Sequence, residues 1–231
     1  MSVTRDRLAI ALDTGDLSSA VTLAKAVQPH IGIAKVGLQL FSAAGREAIH
    51  AMRDLGMTVF LDVKLHDIPN TVRGASTVLG SLGVRYLTVH AAGGPVMLKA
   101  AVEGLNEGAN NAGLAAPIAL AVTVLTSDPE ASEELLNERL TAALVSGCGG
   151  VVCAATDLPV VRALAPDILT VVPGIRPAGV PTHDQGRVAT PAQAIRDGAD
   201  VLVIGRAVTN SDHPASAAAS IASEVASVLT S

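Results

Sequence analysis

Aromatic side chains are nearly missing from this sequence: Phe41, Phe60 and Tyr86 are the whole set, and tryptophan does not occur. Recognition of a flat ring by stacking on aromatic faces is therefore disfavoured, and the core has to be assembled from Ala, Val, Leu and Ile. Charge is also scarce, at 16% of 231 residues, and no basic run interrupts a net charge of −5. A nucleic-acid partner is disfavoured, because binding a phosphate backbone needs clustered Lys and Arg. The two cysteines, Cys148 and Cys153, fit no metal-ligand or disulfide spacing and read as buried thiols of a reducing compartment. No apolar run reaches the roughly 18 residues of a membrane span, and that of the N-terminal MSVTRDRLAIALD is too short for a signal peptide. The expectation is a cytoplasmic protein without membrane association.

What is present is apolar bulk. Hydrophobic residues make up 49% of the chain, enough for a sizeable core in one domain spanning 1–231. Short β-branched runs recur at 8–13, 33–37, 58–64, 85–90, 118–125, 150–154, 169–173 and 201–205. Between them lie Ala-rich stretches of helical period at 18–27, 42–55, 72–82, 96–107, 132–146 and 192–197. A shorter helix is expected at 157–165, and a last one at 214–229. Eight strands alternating with helices predict a (β/α)8 TIM barrel of parallel strands. An open doubly wound sheet is the alternative, but no GxGxxG follows the first strand to support a dinucleotide-binding version of it.

Barrel interiors are usually greasy, with chemistry at the C-terminal strand ends. Here those ends carry charge: Asp13 on the first strand, Lys35 on the second, Asp62 and Lys64 on the third, and His90 on the fourth. Side chains alternate along a strand, so Asp62 and Lys64 share a face that Val63 does not. Lys35 on the neighbouring strand can complete a Lys–Asp–Lys array. A purely structural ion network would be a poor stability device, since desolvation can cancel the Coulomb gain. His90 alone reads equally well as a histidine simply hydrogen-bonded in place.

The segment Asp62-Val63-Lys64-Leu65-His66-Asp67-Ile68-Pro69-Asn70-Thr71 resembles the D-x-K-x-x-D-I-P-N-T signature of the orotidine monophosphate decarboxylase family. Sugar-phosphate synthases and decarboxylases of the same superfamily share D-x-K-x-x-D, so other matches have to separate them. LAIALD at 8–13 is similar to the family's first strand. IAKVG at 33–37 places Lys35 where the magnesium-dependent relatives carry a Glu. Pro173-Gly174-Ile175-Arg176-Pro177, Asp184-Gln185 and Val203-Ile204-Gly205-Arg206 resemble the family's phosphate-binding end.

The resemblance implies decarboxylation of orotidine 5'-monophosphate without metal or cofactor. Lys64 would protonate C6, with Asp62 beside the departing carboxylate. Lys35 would hold Asp62 and the ribose, which Asp13 would also bind. Asp67, Ile68 and Thr71 would reach across a homodimer interface into the partner's site; read without the resemblance, Asp67 is an acid at a helix N-terminus. Arg206, Gly205, Arg176 and Gln185 would take the phosphate, with 176–190 as a lid. Ser127 would meet the pyrimidine amide edge, although it reads equally as a helix cap, and Pro173 would border the base. Two other readings stay open: a metal-dependent aldolase or decarboxylase of a sugar phosphate, disfavoured by Lys35, and a non-catalytic phospho-ligand binder, disfavoured by intact Asp62 and Lys64.

Overall fold

A computed structural model describes residues 3–124, 132–177 and 189–230. The eight strands are β1 (Leu8–Ala11), β2 (Ile33–Gly37), β3 (Thr58–Leu65), β4 (Tyr86–His90), β5 (Ile118–Val122), β6 (Gly150–Val152), β7 (Leu169–Val172) and β8 (Val201–Ile204). Each pairs in parallel with its sequence neighbour, and β1 closes on β8, which makes a closed barrel and rules out the open sheet. The helices are α1 (Leu17–Val27), α2 (Leu38–Ala44), α3 (Arg46–Asp54), α4 (Pro69–Gly80), α5 (Gly94–Asn111), α6 (Glu133–Val145), α7 (Leu158–Leu164), α8 (Pro191–Arg196), α9 (Arg206–Thr209) and α10 (Pro214–Leu229). None of the described helices is long and apolar enough to cross a membrane.

Alternation along the strands builds two apolar compartments. Leu8, Ile10, Val36, Leu61, Leu87, Val151 and Leu202 pack outward against the helices. Ala9, Ala11, Ile33, Phe60, Leu120, Val171, Val201 and Val203 fill the barrel itself. Phe60 meets Tyr86 edge to face, with ring centroids 6.0 Å apart and planes at 80°, so two of the three aromatics plug the interior.

Several boundaries differ from the sequence-based expectation. β1, β5, β6, β7 and β8 all stop short of the expected C-terminal residue, because the chain there leaves the ladder. Asp13 thus lies two residues beyond β1. Pro173 has no N–H to continue β7, and Gly205 (φ −111°, ψ −120°) turns the chain from β8 into α9, a helix the sequence did not suggest. The single helix expected at 42–55 is two, α2 and α3, separated by Gly45 at φ 54° and ψ −133°. α4 begins at Pro69 rather than residue 72, with proline in the first turn, where its missing N–H costs nothing. Asp16 caps α1, accepting the N–H groups of Ser18 and Ser19, and Ser132 and Thr190 cap α6 and α8 in the same way.

At the end of the barrel opposite the strand C-termini, arginines tie down the αβ loops. Arg5 donates to the carbonyl of Gln28 (2.7 Å), Arg53 to Leu82 (2.9 Å) and Arg85 to Ala116 (2.7 Å). Arg162 donates to Ile168 and Gly198 and pairs with Asp200 at 2.7 Å. α4, which follows directly on β3, is seated on α5 by a close backbone contact. A Cβ on Gly108 would overlap the Thr77 carbonyl, and one on Gly104 the Arg73 carbonyl. Arg73 then bridges to Glu103 (2.9 Å) and Glu107 (2.8 Å) across the same seam.

Two glycine substitutions should therefore act in opposite directions in calorimetry. Gly108→Ala is expected to destabilise by about 1–3 kcal/mol or more through overpacking, with each kcal/mol lowering Tm by roughly 2–4 °C in a chain of this size. Gly74→Ala, on the exposed side of α4 with nothing within 4 Å of the added methyl, should raise Tm, since alanine outranks glycine in a helix by about 1 kcal/mol.

Candidate active site

Asp62 stands at the centre of the charged array. Its Oδ1 accepts from Lys64 Nζ at 2.8 Å, and its Oδ2 lies 3.5 Å from Lys35 Nζ. Lys35 in turn donates to Asp13 Oδ1 at 3.0 Å. The chain of groups runs Asp13–Lys35–Asp62–Lys64, with Asp13 out in solvent and Lys35 and Asp62 nearly enclosed (side chains 10% and 14% exposed). Gly37, one turn of the pleat after Lys35, makes room for it: a Cβ there would stand 2.6 Å from Asp13 Oδ1 and 3.2 Å from Lys35 Nζ.

Burial pushes the Asp62 carboxyl up. The charges of Lys35 and Lys64, with hydrogen bonds from Lys64 and Thr88, outweigh that and hold it below the ordinary carboxylate range. A divalent cation does not fit this donor set. Lys35 occupies the space between Asp13 and Asp62 with a positive charge of its own, and the described residues offer no group of three or more His, Cys, Asp or Glu that could hold a metal ion.

Simple strand alternation put Asp62 and Lys64 on one face; the backbone does it differently. The β3–β4 register jumps from Leu61↔Leu87 to Leu65↔Val89, so β3 bulges through Asp62, Val63 and Lys64. Lys64 is the one non-glycine residue of positive φ (48°) among the described residues. Thr88, fully buried on β4, fills the gap in the ladder. It accepts the Lys64 N–H at 2.9 Å and donates to Asp62 Oδ1 at 3.1 Å.

The array opens into a cavity of about 940 Å³ at the C-terminal end of the barrel. Asp13, Lys35, Asp62, Lys64, Pro173, Arg176, Gly205 and Arg206 all line it, so eight residues singled out in the sequence converge on one space. Phe60 contributes to its lining from within the barrel, beside Val122, Val152 and Val203. Arg176 is buried at 5% exposure and donates to the Ile175 carbonyl at 2.8 Å. Asp67, Ile68 and Thr71 do not line the cavity; they are exposed, and Asp67 Oδ1 accepts the N–H of Ile68 at 2.7 Å. Ser127 and Gln185 lie outside the described residues, as does most of the expected lid.

Thr88 and Gly37 escaped the sequence reading, though both share strand parity with a residue that did not: Thr88 with His90, Gly37 with Lys35. Cys153 also lines the cavity, which its reading as an ordinary buried thiol did not anticipate, while burial pushes the Cys148 thiol up to about 12. His90 accepts the Ala92 N–H at 3.3 Å and stacks on His66 with centroids 5.3 Å apart. Burial, followed by the positive charge of His66, Arg139 and Lys64, holds its pKa below the ordinary histidine value.

Comparisons with known proteins find likenesses of sequence and fold over nearly the whole chain. The family model described as "Orotidine 5'-phosphate decarboxylase / HUMPS family" matches residues 6–221. The orotidine 5'-phosphate decarboxylase of Anaeromyxobacter sp. (strain K) is 46% identical over 94% of this chain and 97% of its own. That of Moorella thermoacetica is 43% identical over 96% of this chain and 92% of its own. Among solved structures, orotidine 5'-phosphate decarboxylase from Lactobacillus acidophilus superposes with a TM-score of 0.81 at 35% identity, covering 95% of this chain and 99% of that one.

The Asp62 environment has a measurable consequence. In a carboxylate-observed NMR titration, Asp62 should titrate below the ordinary carboxylate range, and Lys64→Ala should raise it, since one charge and one hydrogen bond are lost while burial remains. Because the folded-state pKa is depressed, the matching stability is present above the unfolded value of about 3.9 and is lost as pH falls through the folded pKa. An Asp62 signal unmoved by Lys64→Ala would contradict the ion-pair assignment.

Proposed function

The chain belongs to the orotidine 5'-phosphate decarboxylase / HUMPS family, and from that premise we propose that it converts orotidine 5'-monophosphate to uridine 5'-monophosphate and CO2. The observation that carries this reading is the Lys64–Asp62 contact of 2.8 Å inside the cavity, with Lys35 rather than an acid on β2.

Breaking the bond between C6 and the carboxyl carbon releases CO2 and leaves an electron pair in an sp2 orbital at C6. The base has no carbonyl placed to delocalise that pair, so stabilisation must come from fixed charge. Lys64 is that charge: its ammonium faces the developing carbanion and then transfers a proton to C6. Asp62 lies beside the departing carboxylate, and the repulsion between the two anions vanishes when neutral CO2 leaves. Lys35 keeps Asp62 ionised and, with Asp13, binds the ribose hydroxyls. Pro173 borders the base and Ser127 meets its amide edge.

Arg206 and Arg176 take the phosphate with Gly205 and Gln185, at the ends of the seventh and eighth strands where phosphates commonly bind in barrels. Asp67, Ile68 and Thr71, exposed at the entry to α4, complete the site of a second copy in a homodimer.

Two assays test the reading. Purified protein should turn over orotidine 5'-monophosphate, followed by absorbance, and keep its rate in excess EDTA. Folded Lys64→Ala should lose nearly all of it. Substantial turnover by that variant would remove Lys64 from its role, and reversible inactivation by chelator would point to the sugar-phosphate branch of the family.

Mixing two inactive homodimers tests the shared site. Lys64→Ala and Asp67→Asn lesions fall together in one site of a heterodimer and leave the other site intact. With random exchange of equal amounts, activity should recover to about a quarter of wild type by two-fold symmetry. No recovery despite demonstrated exchange would place Asp67 outside the partner's site.

A further inference from the structure

We infer that Thr88 is a positioning residue for the reaction: one hydroxyl sets both the carboxylate of Asp62 and the backbone that aims Lys64. The inference rests on the decarboxylase reading of the site.

The geometry is unusually economical. Across the β3 bulge, the Lys64 N–H has lost its ladder partner, and an N–H buried without a partner is costly. Thr88 Oγ1 accepts it at 2.9 Å, and its own hydrogen goes on to Asp62 Oδ1 at 3.1 Å, the oxygen that Lys64 Nζ also reaches. Both hydrogen-bonding capacities of the hydroxyl are thus committed to the two groups that do the chemistry. Lys64 needs the support because φ of 48° is unfavourable for a residue with a side chain. Relaxing that angle would swing Nζ away from the substrate carbon.

Thr88 is fully buried and does not line the cavity, so it touches Asp62 and Lys64 rather than substrate. An apolar residue of the same shape would fill the same volume in β4 but leave the Lys64 N–H without its partner and the Asp62 oxygen without its hydroxyl donor. A packing role alone would be served equally well by valine.

The test compares Thr88→Val, Thr88→Ser and wild type, with wild-type turnover of orotidine 5'-monophosphate measured first. Thr88→Val should lower kcat by roughly ten-fold or more, the worth of a hydrogen bond to a charged group, with KM moved far less. Thr88→Ser, which keeps the hydroxyl, should recover most of the loss. Independently of activity, Asp62 should titrate at higher pH in Thr88→Val and not in Thr88→Ser. If Thr88→Val does not fold, Thr88→Ala, which also lacks the hydroxyl, replaces it in each comparison. Inactive wild type would overturn the decarboxylase reading and this inference with it. Active wild type with unchanged kcat in the hydroxyl-free variant, or an equal loss in Thr88→Ser, would overturn the inference alone.

Discussion

A carboxylate held between two ammonium groups at the mouth of an apolar barrel is the constraint around which the rest of this structure is arranged. Asp62 is nearly enclosed, and enclosure opposes its charge; the charge survives because Lys35 and Lys64 flank it and Lys64 and Thr88 donate to it. Such networks seldom stabilise a fold, and well-packed apolar residues in their place often do better. Several local features follow from accommodating this one. Gly37 gives up its side chain so that Lys35 and Asp13 can meet, β3 bulges to bring Lys64 back onto Asp62, and Lys64 adopts a positive φ that, among the described residues, is otherwise found only at glycine.

The barrel separates this tension from its own stability. At the end away from the cavity, guanidinium groups are spent on backbone carbonyls: Arg5, Arg53, Arg85 and Arg162 each close a loop that leads into a strand. At the cavity end, Arg176 and Arg206 line an open space, Arg176 while also donating to the Ile175 carbonyl. The same residue type thus serves cohesion at one face and anion recognition, in the proposed reaction, at the other. The glycine seam between α4 and α5 lies between the two, fixing the helix that begins a few residues after Lys64.

Much of this was legible in the sequence because it depends on local rules. Eight β-branched runs separated by helical periods imply the closed barrel, and strand parity brings Lys35 and Asp62 to one face. What parity could not supply is the bulge. Its existence depends on how β3 and β4 pair, a tertiary relation, so Thr88 read as one more β-branched strand residue. Gly45 was hidden for a related reason: a glycine inside a helical period looks tolerable until its backbone is seen at φ 54°. Asp67, Ile68 and Thr71 are exposed within one chain, and the role proposed for them rests on a second copy, about which one chain's periodicity says nothing.

The scarcity of aromatic rings gives the molecule a built-in reporter. With no tryptophan and a single tyrosine, emission excited at the long-wavelength edge of its absorption, beyond the reach of the two phenylalanines, comes from Tyr86. That ring lies edge-on to Phe60, and Phe60 forms part of the lining of the cavity beneath the charged array. That tyrosine emission therefore originates one side chain away from the space its substrate would fill, without any label having been attached.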